Sequence, residues 1–189
     1  KNFPSLYLSM DKIYEKITDT KGIFSSKIVF SMNWYGKREI FVTDLLGKSI
    51  KKLTNNKMDS ICPKLSFDRK FVVYTLYQKD GATSLNLINL SDYTEKVVYS
   101  SKELNLAGGF SPDNKYLYFI SYDGKLSKLF KLDINNNKEV LLYKSRARIV
   151  SPVVIFKEDE LVFVSDEYGS PQIFLFNGKD KSLRRITKS

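Results

Sequence analysis

Histidine is absent from this chain of 189 residues, and cysteine occurs once, as Cys62. The absence of histidine excludes a Ser-His-Asp triad and removes the side chain that most often transfers protons near neutral pH. A single cysteine excludes an internal disulfide bond, and we expect Cys62 to be a small buried apolar side chain. No apolar run approaches the roughly 18 residues that a membrane-spanning helix requires. The chain therefore offers neither a histidine-dependent active site nor a transmembrane helix.

Motifs for nucleophilic catalysis, phosphate binding and metal binding are also missing. Residues 108–111 do not form a nucleophile elbow, because that motif needs a glycine on each side of the serine, two residues away. Residues 133–137 begin like a calcium loop, but Lys138 and Lys144 occupy the positions that need glycine and glutamate, so we predict a hairpin turn. Glycine-rich phosphate loops are absent. We predict no catalytic residue, no cofactor and no metal site.

The chain has fewer acidic than basic residues, 21 against 31, which gives a net charge of +10. The basic residues are dispersed, which is typical of a solvated surface. Nucleic-acid bases stack on exposed aromatic rings beside basic residues. Most aromatic residues of this chain alternate with polar residues in strands and are expected to face the interior; residues 34–38 (Trp-Tyr-Gly-Lys-Arg), in a predicted turn, are the exception. We predict that the chain binds no nucleic acid and is at most peripheral to a membrane.

A short strand rich in aromatic and β-branched residues recurs four times and ends each time in a hydroxyl residue. The closing residues are Ser31, Thr75, Ser121 and Ser165, and they lie 44, 46 and 44 positions apart. A period near 44 residues, filled with strands and turns, is typical of the blades of a β-propeller. Helical repeats of this length would place apolar residues at spacings of three and four, which these segments do not show.

Each repeat continues through further strands. The third strands are predicted at 38–43, 84–89, 128–132 and 172–176, and the outer strands at 50–54, 95–99, 140–143 and 183–187. Basic residues in the outer strands protect an exposed sheet edge from pairing with other chains. Turns precede the aromatic strands, and we expect Asp68, Asp113 and Asp159 to occupy equivalent positions in them. The first unit has no room for an inner strand before Lys27.

The fold class predicted is all-β, with four propeller blades preceded by one short helix. Apolar residues at helical spacing place that helix at about residues 5–20, with its apolar face formed by Leu6, Met10, Ile13, Tyr14 and Ile17. Gly22 is expected to cap its C-terminus. We expect residues 1–22 to be a helix and linker and residues 23–189 to be the propeller, with blades at about 23–56, 57–101, 102–145 and 146–189.

The motif at 111–115, Ser-Pro-Asp-Asn-Lys, is followed by an aromatic strand, an Asp-Gly turn and a further strand. Outer strands 1 and 4 add two basic residues followed by Leu-Thr or Ile-Thr. This pattern resembles the propeller repeat of the TolB family, and residues 11–18 and 21–28 are similar to the family's helix and linker from an α/β domain into the propeller. The resemblance implies that residues 1–22 are the C-terminal helix of a preceding α/β domain and its linker. Two copies of the turn depart from the motif: Phe67 replaces the proline, and residues 156–160 keep little of it.

The resemblance implies a periplasmic protein of the bacterial Tol-Pal system, whose propeller has six blades. It implies that the lipoprotein Pal docks at one mouth of the propeller and that TolA binds a segment outside these residues. The candidate partner-binding residues are those that lead into the inner strands: Met58, Asp59, Ser60, Asn105, Leu106, Arg146, Arg148 and Ile149. The alternative is the propeller of a peptidase or another hydrolase, acting as a gate for substrates.

A six-bladed propeller leaves two faces uncovered when only four blades are present. We expect the open face of the last blade to expose large aromatic side chains, among them Phe163, Phe174 and Phe176. Burying one such side chain is worth roughly 1.5–3 kcal/mol. The 189 residues are therefore expected to belong to a longer polypeptide or to pair with a second copy.

Overall fold

The computed structural model describes residues 3–155 and 159–188. These residues form one helix, α1 (Phe3–Thr18), followed by a three-stranded sheet of β1 (Lys27–Trp34), β2 (Lys37–Asp44) and β3 (Lys51–Lys52). The second sheet contains β4 (Ser60–Leu65), β5 (Phe71–Tyr77), β6 (Thr83–Asn89) and β7 (Glu95–Ser101). The third contains β8 (Leu104–Phe110), β9 (Tyr116–Tyr122), β10 (Ser127–Asp133) and β11 (Lys138–Ser145). The fourth contains β12 (Ile149–Val154), β13 (Glu160–Ser165), β14 (Gln172–Asn177) and β15 (Leu183–Arg185).

The four sheets are consecutive blades of a β-propeller, which confirms the predicted fold class. Within each sheet, the strands lie in chain order and pair antiparallel with their neighbours. The inner strands β4, β8 and β12 contact one another in succession, and β1 contacts β4. The first blade lacks an inner strand, as the short segment before Lys27 predicted.

Each pair of neighbouring blades encloses its own hydrophobic core. Blades 1 and 2 bury a cluster that includes Ile40 and Val72, and blades 2 and 3 bury one that includes Leu85 and Phe119. Blades 3 and 4 bury a third cluster around Phe163. Because side chains alternate between the two faces of a strand, each middle blade contributes one face to each of two clusters.

The open face of blade 4 is aliphatic, so the prediction of exposed phenylalanines is wrong. Phe163, Phe174 and Phe176 are at most 1% exposed, because the faces of β13 and β14 that carry them pack back against blade 3. The outward face carries the residues between them, and Ile173 is 37% exposed there. Leu85 and Leu129 hold the corresponding positions in blades 2 and 3, and both are fully buried.

Helix α1 is attached to the propeller through Asp11. The Asp11 carboxylate accepts hydrogen bonds from the backbone N–H groups of Phe24 at 2.7 Å and Ser25 at 3.0 Å. The prediction that Gly22 caps the helix is wrong: Asp19 takes the left-handed conformation at the helix end, with φ of 53°. Gly22 instead allows the linker to approach the helix, since a Cβ there would lie 2.5 Å from the Cα of Asp11.

The turn aspartates are not all equivalent. Asp68 and Asp113 accept hydrogen bonds from Ser66 and Ser111, and each lies three residues before the next strand. Asp159 directly precedes β13, so the expectation that it matches them is wrong. Its carboxylate instead joins two blades: it lies 3.1 Å from the ammonium group of Lys131 and accepts a 2.7 Å hydrogen bond from the hydroxyl of Tyr118. The rest of that divergent turn, residues 156–158, lies outside the described residues.

The repeated basic-basic-Leu/Ile-Thr motif has a structural explanation in its threonine. The hydroxyl of Thr54 accepts the N–H of Ile40 at 2.9 Å, and the hydroxyl of Thr187 accepts the N–H of Ile173 at 2.9 Å. Each hydroxyl also donates to the side chain that precedes its isoleucine, Glu39 in blade 1 and Gln172 in blade 4. The threonine thus fastens the end of the outer strand to the third strand of its blade.

Candidate functional site

The candidate partner-binding residues lie at the face of the propeller where the inner strands begin. The opposite face carries the turns that follow the inner strands, and one of these turns contacts the linker after α1, where Arg69 donates a 2.9 Å hydrogen bond to the hydroxyl of Ser25. An inner strand of six residues separates the two faces by about 20 Å. Helix α1 and the candidate site are therefore on opposite faces of the blades.

Four of the eight candidate residues come together at a cavity of about 370 Å³ between blades 3 and 4. Leu106 comes from the inner strand of blade 3, and Ile149 from the start of the inner strand of blade 4. Arg146 and Arg148 come from the segment that connects these blades. Leu104, Ile120 and Val150 add further apolar lining. The sequence contains the signal for this grouping, because residues that lead into successive inner strands become neighbours in a propeller.

The other four candidate residues lie elsewhere. Met58 lines a separate cleft formed by blade 2 and the segment that leads into it. Asp59 accepts the N–H of Arg38 at 2.7 Å and thereby ties the first hairpin of blade 1 to blade 2. Ser60 is fully buried, and its carbonyl accepts a 2.9 Å hydrogen bond from the hydroxyl of Ser31.

Asn105 is also fully buried. Its backbone N–H donates to the hydroxyl of Thr83 at 2.5 Å, and its side-chain amide donates to the carbonyl of Thr83 at 3.0 Å. The same amide donates to the hydroxyl of Ser101 at 2.9 Å. Because these partners belong to blade 2, Asn105 fastens the inner strand of blade 3 to its neighbour. In this structure it has no surface that a partner could contact.

Five cavity residues were missed by the sequence reasoning: Leu104, Ile120, Tyr122, Ser127 and Asp166. Tyr122 ends β9 and is 39% exposed at the cavity. Asp166 follows β13 and accepts the N–H of Arg148 at 2.7 Å, which holds the connecting segment in place. Tyr122 and Asp166 lie where aromatic strands end, and the prediction considered only the segments that lead into inner strands.

Two positively charged side chains at the rim of the cavity, Arg146 and Arg148, are free to pair with a ligand. Among residues 3–155 and 159–188, the guanidinium groups of Arg146 and Arg148 make no hydrogen bond or ion pair with other protein groups. Nearby in blade 3, the ammonium group of Lys128 is already paired, at 3.1 Å from Glu103 and 2.8 Å from Asp123. Its hydrogen bond holds the pKa of Asp123 well below its usual range. An acidic ligand at this rim would therefore meet the two arginines rather than the lysine.

The described part of the chain holds no cluster of three or more histidine, cysteine, aspartate or glutamate side chains that could bind a metal ion. In the same residues, no helix has the length and apolar character needed to cross a bilayer. Cys62 is half-buried rather than fully buried as the sequence predicted, and this partial burial raises the pKa of its thiol.

The fold and this cavity define a β-propeller domain with a concave surface at one face, a shape suited to binding. Residues 14–189 match the family model described as the TolB beta propeller domain. The chain belongs to this family. Its repeat, its four blades and the helix in front of them agree with the resemblance seen in the sequence.

The relatives and solved structures agree with the family model. The chain is 27% identical over 162 residues to a TolB homolog from Chlorobium luteolum, covering 85% of this chain and 36% of that protein. It is 30% identical over 113 residues to the Tol-Pal system protein TolB from Desulfotalea psychrophila, covering 59% of this chain and 26% of that protein. The crystal structure of TolB from Acinetobacter baumannii superposes with a TM-score of 0.83 at 22% identity, covering 98% of this chain and 47% of that one.

The same fold also occurs in enzymes. A puromycin-hydrolyzing peptidase from Mycobacterium tuberculosis matches with a TM-score of 0.62 at 15% identity, covering 78% of this chain and 26% of that one. At this identity the match shows a shared fold only. This chain spans less than half the length of each of these relatives.

Proposed function

We propose that this chain is the propeller region of a TolB-type protein of a Tol-Pal system and that it binds a protein partner at the cavity between blades 3 and 4. Membership in the TolB propeller family supports the first part, as do relatives named for the Tol-Pal system. The second part rests on one observation: a partly apolar cavity of about 370 Å³ whose rim carries two arginines with guanidinium groups unpaired among the described residues. The proposed binding residues are Leu106, Arg146 and Arg148; Ile149 also lines the cavity but is only 2% exposed.

The proposed partner is Pal, the peptidoglycan-associated lipoprotein, and the proposed location is the periplasm. In this role the protein supports outer-membrane integrity and envelope constriction, and TolA is engaged by a segment outside these 189 residues. We assign residues 1–22 to the end of a preceding α/β domain and its linker, and residues 23–189 to the propeller. The end of α1 at Thr18 and the start of β1 at Lys27 support a boundary between the helix and the propeller in this segment.

The chemistry of the cavity favours a partner loop that carries both acidic and apolar side chains. Apolar residues inserted against the half-buried Leu104 and Leu106 would be removed from water, which is the main source of affinity at the centre of an interface. Carboxylates at the rim would pair with Arg146 and Arg148, and such pairs at a rim mainly accelerate association and select the partner.

Charge reversal at the rim, Arg146→Glu with Arg148→Glu, is expected to weaken Pal binding by about tenfold or more, mostly through slower association. Both side chains are exposed and make no ion pair among the described residues, so the fold should be unaffected. Surface plasmon resonance with the full-length protein and purified Pal measures the association rate. Because salt screens exposed charges, the difference from the wild type should shrink as ionic strength rises.

The matched control is Lys138→Glu with Lys179→Glu. These two exposed lysines lie in the same two blades but at the opposite face, so the variant has the same net charge. It is expected to bind Pal at nearly the wild-type rate. Equal losses in both variants would mean that overall charge, and not this cavity, governs association. Unchanged binding in the Arg146/Arg148 variant would remove the cavity from the interface.

We propose further that the chain is not an enzyme. The relatives that carry the TolB name support this, and the peptidase with the same fold matches at lower sequence identity. A purified protein that hydrolyses peptide or ester substrates, and loses that activity when one serine of this chain is replaced, would contradict the proposal.

A further inference from the structure

One strand pair differs from its counterparts in the other three blades. Blades 1, 3 and 4 each place two stacked phenylalanines directly opposite one another on the second and third strands: Phe30 with Phe41, Phe119 with Phe130, and Phe163 with Phe174. In blade 2, the residues in the same register are Tyr74 and Asn86. Blade 2 therefore carries polar groups where each other blade carries a pair of apolar rings.

Blade 2 also differs in the contact that its second strand receives from the outer strand of the preceding blade. The outer strand of blade 2 supplies Tyr99, whose ring lies 4.5 Å from that of Phe119 in blade 3. The outer strand of blade 3 likewise supplies Tyr143, 6.1 Å from Phe163 in blade 4. Blade 1 has Thr54 after its two-residue outer strand, and the hydroxyl of Thr54 bonds within its own blade. No comparable ring from blade 1 stacks on Tyr74 among the described residues, so blade 2 lacks the aromatic contact that blades 3 and 4 receive from the blade in front.

The polar groups of blade 2 form an ordered network. The hydroxyl of Tyr74 and the amide of Asn86 both donate to the same carboxylate oxygen of Glu95, the amide at 2.6 Å. Asn56, in the segment that leads into blade 2, donates to the Tyr74 hydroxyl at 2.9 Å. Burial, together with the Glu95 carboxylate, raises the pKa of Tyr74, so its hydroxyl stays protonated and donates. The network holds two amide side chains, those of Asn56 and Asn86, in fixed positions.

These amides line a cleft of about 560 Å³ that is formed by blade 2 and by residues 56–58, which lead into it from blade 1. Its lining also includes Ser84, whose hydroxyl donates to the side-chain oxygen of Asn86 at 2.7 Å, the amide residue Gln78 and the apolar residues Leu76 and Val97. Among the described residues, the side-chain amide of Gln78 has no hydrogen-bond partner. The cleft thus combines fixed amides, a free amide at the rim and apolar surface, within the size range of small-ligand sites.

We propose that this cleft binds a short neutral saccharide, at a site separate from the cavity between blades 3 and 4. Sugar hydroxyls both donate and accept, and the side-chain amide of Gln78, unpaired in the part of the chain that the structure describes, offers them donors and an acceptor in one plane. The amide nitrogen of Asn56 is already bonded to Ser60 and Tyr74, so Asn56 offers its side-chain oxygen as an acceptor. The C–H faces of a sugar ring would lie against Leu76 and Val97. The charges around the cleft balance, with Lys57 and Lys79 against Asp80 and Glu95, so the cleft has no excess charge to select an ion.

The test uses saturation-transfer NMR on the full-length protein with two probes, maltotriose and triacetylchitotriose. The first carries hydroxyls alone and the second adds acetamido groups, so the pair distinguishes the kind of neutral sugar. At least one probe is expected to receive saturation from the wild-type protein, with a dissociation constant in the micromolar to millimolar range. The absence of transfer to both probes at millimolar concentrations would overturn the proposal.

The decisive variant is Tyr74→Phe with Asn86→Phe, which installs the phenylalanine pair of the other three blades. Saturation transfer should fall at least tenfold while the melting temperature stays the same or rises. A folded double variant that still binds the sugar would overturn the assignment of the site. Should the double variant fail to fold, Val97→Trp fills the cleft from an exposed position outside the network, and binding that survives it would equally contradict the proposal.

The Arg146→Glu/Arg148→Glu variant is the matched control, because it alters the other cavity. It is expected to bind the probe sugars as the wild type does. Sugar binding that is lost in this variant, and kept when the cleft is filled, would place the saccharide at blades 3 and 4 instead. The outcome does not depend on Pal, so the two proposals can fail separately.

Discussion

Replacing Phe119 with alanine is expected to lower the free energy of unfolding by about 3–5 kcal/mol, the range for large aromatic side chains removed from a core. Phe119 is fully buried between blades 2 and 3. Its ring stacks on Phe130 at 5.2 Å and packs against Tyr99 at 4.5 Å, so truncation removes contacts within one blade and between two. Whole domains are stable by about 5–15 kcal/mol, so this loss is a large share. Urea denaturation of the full-length protein, followed by circular dichroism, measures it.

Phe67→Ala provides the control, because it makes the same substitution at a residue that is 51% exposed in a turn. Its expected cost is below about 1 kcal/mol, since surface positions away from special features contribute little. Similar costs for the two variants would contradict the view that the interfaces between blades dominate the stability of this propeller.

Expressed without further sequence, the 189-residue chain is expected to bind a hydrophobic dye and to self-associate, whereas the full-length protein should do neither. The reason is the aliphatic face of blade 4, formed by Val162, Val164, Ile173 and Leu175, all of which stay at least partly exposed. In the same register, Val73 and Leu85 of blade 2 are fully buried by blade 3. Burying each such side chain is worth roughly 1.5–3 kcal/mol, which is a strong drive to cover the face. Analytical ultracentrifugation and dye fluorescence measure the two effects.

Ile173→Ser with Leu175→Ser should reduce both dye binding and self-association of the 189-residue chain, because it makes the open face polar. The control is Val97→Ser with Val140→Ser, two exposed valines on outer strands, which should change neither. A wild-type chain that sediments as a monomer, melts cooperatively and binds no dye would show that the open face needs no cover.

Most of the fold prediction came from patterns within short segments of the sequence. Strands β5 and β9 were found because alternating side chains and turn residues are features of a few consecutive positions. The period near 44 then followed by counting, and so did the missing inner strand before Lys27. The family resemblance rested on the same local motifs, which the family model confirms over residues 14–189.

The sequence did not predict which residues of the four blades occupy equivalent positions in the strand pairing. Ser31, Thr75, Ser121 and Ser165 were treated as equivalent, yet Ser31 pairs with Ile40 and Thr75 with Leu85, whereas the residue in that register in blade 3 is Ile120. The hydroxyls of Ser31 and Thr75 therefore donate to the inner strand of the next blade, while the hydroxyl of Ser121 donates to Glu103 of its own blade. A shift of one residue turns a strand side chain to the opposite face.

The sequence by itself determined that this protein is a propeller of four repeated strand sets, because the alternation of side chains in a strand and the residues that form a turn depend only on neighbouring positions. Only the tertiary structure decided which side chains meet between blades. In the structure, Asn105 is buried and Asp159 pairs with Lys131. Arg146 and Arg148 lie at the rim of one cavity, and Asn86 lines a polar cleft. These contacts connect residues about 20 to 40 positions apart along the chain. They depend on the register and facing of whole strands, which only the packing of one blade against the next establishes.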